Sequence, residues 1–165
     1  MADSPIFQVT TPGEREIVVT RVLDAPRRLV FDALTKPELL KRWMEGPQGW
    51  SLAVCEMDLK AGGRFRYVWR RADGGDMGMG GVMLEVVPPE RLVHKEVFDE
   101  DWTGGETIVT TTFVEKAGKT TLTITVLYSS REARDGALKT GMTEGMKAGY
   151  DKLAQVLAEN QGKQS

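Results

Sequence analysis

His94 and Glu96 stand two residues apart in Arg91-Leu92-Val93-His94-Lys95-Glu96-Val97-Phe98, so in an extended strand both side chains point to one face. An imidazole beside a carboxylate can act as general base and orienter, or can hydrogen-bond a polar group of a bound molecule. A mutually satisfied buried pair, or a wet pair at a rim, is the plainer reading of the same spacing. His94 is the only histidine and Cys55 the only cysteine, too few for the four N or S ligands of a structural zinc site, and no intrachain disulfide can form. No metal and no cofactor is expected. Cys55 lies in Leu52-Ala53-Val54-Cys55-Glu56-Met57, the setting of a buried small hydrophobe and not of an activated thiolate. Gly78-Met79-Gly80-Gly81 has no helix start after it to supply amide donors, so it marks a bulge or a close helix-to-sheet approach and not a phosphate loop. Glu56, Asp58 and Glu85 have no fixed separation that would make an acid–base couple, and Ser129-Ser130 lacks a nucleophile elbow. No residue is assigned a catalytic role.

Composition narrows the function further. The 165 residues are 41% hydrophobic, without a compositional break, which predicts one domain over 1–165 with its core at about 14–157. The net charge is -2, from 22 basic and 24 acidic residues scattered along the chain, so no basic stripe is present to follow a nucleic-acid backbone. No apolar run reaches the roughly 18 residues of a membrane span, and Met1 to Thr11 lacks the order of a signal peptide. A cytoplasmic location is expected. Arg64, Arg66, Arg70 and Arg71 form the one local basic cluster. It reads as a solvated strand face, or as a dock for an acidic partner.

These groups must be positioned by strands. Glu14–Leu23 mixes Ile and Val with polar residues and reads as a first strand, after which Asp24-Ala25-Pro26 can open a helix to Leu34. Lys36-Pro37 interrupts it and starts a second short helix, Glu38 to Met44. Gly46-Pro47-Gln48-Gly49 is a loop. Strand patterns follow at Trp50–Leu59, Arg64–Arg71, Asp76–Val87, Arg91–Phe98, Glu106–Glu115 and Thr120–Tyr128, separated by Gly62-Gly63, Asp73-Gly74-Gly75, Pro88-Pro89, Gly104-Gly105 and Ala117-Gly118. Such turns make an antiparallel meander. From Ser130 the period changes: Leu138, Met142, Gly145, Met146, Gly149, Leu153, Val156 and Leu157 predict one amphipathic helix of roughly 28 residues, about 40 Å long. Gly141, Gly145 and Gly149 recur along it, which implies either room for a cavity or close packing on the sheet. The expected class is α+β: a curved seven-stranded antiparallel sheet, two short helices after the first strand, and a long C-terminal helix over the concave face. Residues before Thr11 and after Asn160 are expected to fray.

That order, with Ala25-Pro26, Trp43, Asp58-Leu59-Lys60-Ala61-Gly62-Gly63, Gly81-Val82-Met83-Leu84-Glu85 and Pro88-Pro89-Glu90-Arg91-Leu92-Val93, resembles the activator of Hsp90 ATPase homologue 1-like family of the START/Bet v 1 (SRPBCC) superfamily. The resemblance covers about Glu14 to Leu157 and implies a helix-grip fold with an apolar cavity between the sheet and the long helix. Strand parity places Phe65, Tyr67 and Trp69, then Met83, His94, Glu96 and Phe113, on its inner face. Met142, Met146 and Tyr150 would look down from the helix, and Trp43 and Trp50 would close the mouth. The methionines, with Met57, Met77 and Met79, suit an adaptable pocket as well as ordinary core filling. The function so implied is binding of a small, largely hydrophobic molecule, lipid-, hormone- or polyketide-like, in a carrier, sensor or stress-response role. His94, Glu96 and Tyr67 would anchor its polar group. Two alternatives follow from the same resemblance: a co-chaperone-like module that docks on Hsp90 or another protein, and a cyclase- or hydrolase-like enzyme that uses the same cavity.

Overall fold

The computed structural model describes residues 7–46, 48–100 and 105–163. Its elements are β1 (Phe7–Thr10), β2 (Glu16–Leu23), α1 (Arg27–Thr35), α2 (Pro37–Trp43), β3 (Trp50–Met57), β4 (Arg64–Arg71), β5 (Asp76–Val87), β6 (Arg91–Phe98), β7 (Thr107–Lys116), β8 (Lys119–Leu127), α3 (Arg131–Leu138) and α4 (Met142–Lys163). The strands form one sheet in the order β1-β2-β8-β7-β6-β5-β4-β3. Every pairing in it is antiparallel. From β3 to β8 the chain meanders. The first long strand, β2, then pairs with the last, so α1 and α2 carry the chain from one side of the sheet to the other.

The sheet has eight strands, not seven, because Phe7–Thr10 pairs with β2 from Phe7 opposite Arg21 to Thr10 opposite Val18. This segment lies where fraying is expected from the sequence. Phe7 and Val9 alternate with exposed Gln8 and Thr10 and pack against the core, so a four-residue edge strand covers the flank of β2. Residues 1–6 and 164–165, Pro47 of the loop after α2 and Gly104 of the expected turn lie outside the described residues.

The expected single C-terminal helix is two. Ser130 caps α3 as its sequence predicts, accepting a 3.0 Å hydrogen bond from the Ala133 amide. The helix then ends in a tight turn: the amides of Lys139 and Thr140 donate to the carbonyls of Gly136 and Ala137, and Gly141 takes φ +80°. A left-handed residue cannot continue an α-helix. The periodicity of Leu138, Met142 and Met146 runs across the break, so hydrophobic spacing alone concealed it. A Cβ at Gly145 would meet nothing within 4 Å, and one at Gly149 would come no nearer than 3.9 Å to the Trp43 ring. Neither glycine is required by close packing. α4 extends to Lys163, past the expected fraying point at Asn160.

α1 starts one residue later than expected, with Pro26 at its N-cap and no side chain of its own capping it. Its first free amide, on Arg27, donates instead to Glu115 Oε1 of β7 at 2.8 Å. α2 begins at Pro37, where the missing amide costs the helix nothing. Between sheet and helices lies the core, which includes Ile17, Val19, Leu23, Val30, Leu40, Phe113, Leu122 and Leu153, none above 1% exposed. Among the described residues no helix is long and apolar enough to cross a membrane.

Two glycines test this geometry in opposite directions. Gly63 returns the chain into β4 so tightly that a Cβ would overlap the Asp58 carbonyl oxygen, and its own carbonyl accepts from the Met83 amide at 2.7 Å. Gly63→Ala is expected to destabilise the protein by at least about 1 kcal/mol, whereas Gly145→Ala should stabilise it by about 0.5–1 kcal/mol. Denaturant midpoints at unchanged slope measure both.

Candidate functional site

The inner face of the sheet is built by register. Phe65 of β4 lies opposite Gly81 of β5, and Gly81 opposite Glu96 of β6. Met83 lies opposite His94, and His94 opposite Val109 of β7. Gly81 has the shape this requires: a Cβ there would overlap the Lys95 carbonyl and approach Phe65 Cζ to 2.8 Å. The close approach predicted for the glycine run is therefore between strands, not between helix and sheet, and the bulge lies two residues on, between Met83 and Glu85. Across the bare glycine, the Phe65 ring meets His94 edge-on at 5.2 Å, and Tyr67 at 5.3 Å. Tyr67 in turn meets Trp69 at 5.9 Å.

His94 Nε2 and Glu96 Oε1 are 2.8 Å apart, with side chains 18% and 21% exposed. Their inner-face neighbours Phe65, Tyr67 and Met83 are 4%, 6% and 2% exposed. Solvent therefore reaches the polar pair across an otherwise enclosed surface. Glu96 is felt by Tyr67, Tyr128 and Tyr150. Burial pushes the Tyr67 and Tyr150 hydroxyls well above the usual phenol range, with the Glu96 charge adding to both and Cys55 adding at Tyr67. The same two causes, burial first, push Tyr128 up to about 12. Tyr128 donates to Met142 Sδ at 3.2 Å. Among the described residues, the Tyr67 and Tyr150 hydroxyls have no hydrogen-bond partner. The one fully enclosed orphan polar atom there is Arg21 Nε, so neither hydroxyl is completely sealed in the core.

The remaining predicted residues divide into rim, wall and distant core. Trp69 is half-buried, with its Nε1 donating to the Met44 carbonyl at 2.7 Å. Trp50 is half-buried beneath the Arg71 guanidinium, 5.6 Å from its ring. Met142 and Met146, in the first turns of α4, are half-buried as well. Trp43 does not close a mouth. It is 6% exposed, donates to the Ala33 carbonyl at 2.9 Å and lies 5.8 Å from Tyr150, so it belongs to the wall beneath α4. Phe113 is also not brought to the pair. It stands four residues along β7 from Val109, roughly 13 Å away at strand rise, against Phe31 of α1 at 5.3 Å.

Sequence reasoning missed Arg21 and Asp151. Arg21 takes the inward place in Ile17, Val19, Arg21, Leu23, is 5% exposed, and binds Asp151 of α4 at 2.5 Å. Strand parity alone would have found this inward arginine. Thr107, 3% exposed and opposite Glu96, was missed too. Cys55 is 8% exposed and burial pushes its thiol up to about 11, as expected of an inert core residue. Among the described residues no three His, Cys, Asp or Glu side chains gather to hold a metal.

The outer face carries a groove of about 610 Å³, lined by Arg64, Arg66, Lys95, Asp99 and Glu106 among others. Its charges largely cancel: Arg66 holds Asp99 at 2.7 and 2.6 Å, and Lys95 faces Glu106 at 3.7 Å. Arg70 and Arg71 are likewise engaged, by Asp76 and Asp73. Val82 and Val97 give this groove some apolar wall, but its polar groups are largely paired with one another. The inner face combines buried aromatic side chains with hydroxyls that have no partner among the described residues, which makes it the better candidate.

A curved antiparallel sheet gripping a C-terminal helix, with an aromatic and thioether inner face, defines the helix-grip class of the START/Bet v 1 superfamily. The chain belongs to the family described as activator of Hsp90 ATPase homolog 1-like protein, whose model matches residues 24–158. It is similar to a solved protein from Rhodobacter sphaeroides, 32% identical over 93% of this chain and 99% of that one, with a TM-score of 0.88. A solution structure from Staphylococcus epidermidis is 27% identical over 91% and 93%, with a TM-score of 0.78. A Nitrosomonas europaea protein, 24% identical over 92% and 99% with a TM-score of 0.80, shares the fold. Comparison with curated proteins gives no match.

Tyr67, Tyr128 and Tyr150 are all the tyrosines of the chain, which makes their environment directly measurable. Unfolded tyrosine ionises near pH 10 while the folded protein holds its phenols protonated, so stability present below about pH 10 is lost as pH rises toward the folded values. Ultraviolet titration should show little tyrosinate in the folded protein at pH 10. Full ionisation with a midpoint near 10, under conditions where circular dichroism reports a folded chain, would contradict the site geometry.

Proposed function

We propose that the protein binds a small, largely apolar molecule between the inner sheet face and α4, in a carrier or sensor role, with the polar end of the molecule at His94 and Glu96. The observation that carries this reading is the solvent-reached polar pair on a face whose neighbouring side chains Phe65, Tyr67 and Met83 are more than nine-tenths buried. An apolar pocket with a few convergent polar groups is the usual form of a small-molecule site. Met142 and Met146, half-buried in the first turns of α4, and Met83, opposite His94 in register, are unbranched and mould to varied apolar shapes. The family to which the chain belongs supports a helix-grip scaffold for such a site.

A second reading, docking on a chaperone or another protein, is favoured by apolar side chains exposed on the outer face: Val97 at 42%, Ile108 at 36% and Val114 at 59%. It accords with the Hsp90-related family description.

Native mass spectrometry of protein purified from its own host, followed by thermal shift against lipids, flavonoids and polyketide-like compounds, separates the two. A ligand at a hundredfold its Kd adds about 2.7 kcal/mol, or a rise of about 5–10 °C in Tm. That rise should be lost in His94→Ala while the unliganded Tm moves little. An empty protein that no compound stabilises, and that retains a chaperone through Val97 and Val114, would replace binding by docking.

A further inference from the structure

Resting on the binding reading above, we infer that the inner site selects neutral molecules whose polar end is a hydroxyl or ketone oxygen, and rejects both carboxylates and ammonium ions. The argument is one of charge and of donors. The titratable groups facing the site are Glu96 and, hydrogen-bonded to it, His94. Of the cations near the inner face, Arg21 is committed to Asp151 of α4, and Arg71, at the end of β4, to Asp73 and the Trp50 ring; Lys41 of α2 acts on Cys55 but is itself exposed to solvent. A bound carboxylate would therefore meet Glu96 in an apolar surround, with Lys41 too well solvated to offset the repulsion.

The hydroxyls decide the other half. Tyr67 and Tyr150 are 6% and 7% exposed, and a buried hydroxyl without a partner is costly. Tyr67 stands beside the polar pair, its ring 5.3 Å from Phe65, which meets His94 at 5.2 Å, and Tyr150 comes from α4 into the reach of the Glu96 charge. A ketone oxygen has two lone pairs and can accept from both. An alcohol or phenol can accept from one tyrosine and donate to Glu96. An ammonium would find Glu96 but has only donors, so it would give neither tyrosine proton an acceptor. Rejection of analogues that leave buried polar groups unpaired is a general source of selectivity.

A ten-carbon series tests this on the intact chain: decan-2-one, decan-1-ol, decanoate and decylammonium, with Kd measured by titration at pH 7. The ketone and alcohol should bind at least tenfold more tightly than either ion. The double variant Tyr67→Phe/Tyr150→Phe, which loses no intramolecular hydrogen bond, should weaken the ketone about tenfold and keep the unliganded Tm. Glu96→Gln should admit decanoate, a gain that a purely structural role for Glu96 would not produce. Decanoate or decylammonium binding as tightly as the ketone would overturn the neutral class and leave the binding reading standing. Failure of all four to bind at millimolar concentration would overturn both.

Discussion

The seam between β2 and β8, paired in register from Glu16 opposite Leu127 to Leu23 opposite Thr120, is the constraint on which the rest depends. It joins the first long strand to the last, so β8 becomes an interior strand and the open edges of the sheet fall to β1 and β3. Three of the helices, α1, α3 and α4, are tied to it. Thr120, fully buried, donates to the Ala25 carbonyl at 2.7 Å where α1 begins. Glu115, beside the β7–β8 turn, caps the Arg27 amide. At the other end the Tyr128 amide donates to the Arg15 carbonyl at 2.8 Å, and Arg134 of α3 reaches the Glu16 carbonyl at 3.1 Å. The entry of α1 and the exit into α3 are therefore set by one strand pair.

From that anchor α4 covers the sheet unevenly. Its C-terminal half buries Tyr150, Leu153, Val156 and Leu157 and packs along α2, where Trp43 fits beneath Tyr150. Arg21 and Asp151 lock the helix to β2 at the midpoint. Arg21 is buried but the Asp151 side chain is 47% exposed, so solvent screens the attraction and the net contribution to stability is small, while withdrawing Asp151 would leave a buried guanidinium unpaired. In the N-terminal half, ahead of that lock, Met142 and Met146 are only half-buried. The turn at Gly141 lets the chain leave the sheet between α3 and α4, so the grip is firm at one end and loose at the other. At the loose end Met142 accepts a hydrogen bond from Tyr128.

Much of this was legible in the chain itself. The alternation in Phe65-Arg66-Tyr67-Val68-Trp69 assigned inside and outside correctly, because a two-residue period and a buried face leave one arrangement that keeps guanidinium groups wet. Turn chemistry located the strand ends for the same local reason. The short β1 was not legible, since four residues carry too little periodicity to stand out and its pairing depends on β2. The helix break was not legible either: a single positive φ at Gly141 leaves hydrophobic spacing unchanged on either side.

By itself the sequence determined the class of fold, the antiparallel meander, the inward faces of the strands and the adjacency of His94 to Glu96, all properties that act over a few residues. Tertiary structure alone decided that Tyr128, Tyr150 and Tyr67, far apart in the chain, all feel the charge of one carboxylate, Glu96. It also decided that Trp43 is wall and Phe113 distant core, and that Arg21 finds Asp151 across 130 residues. Those outcomes turn on where a helix crosses a curved sheet, a quantity set by the packing of the whole core and by no local pattern.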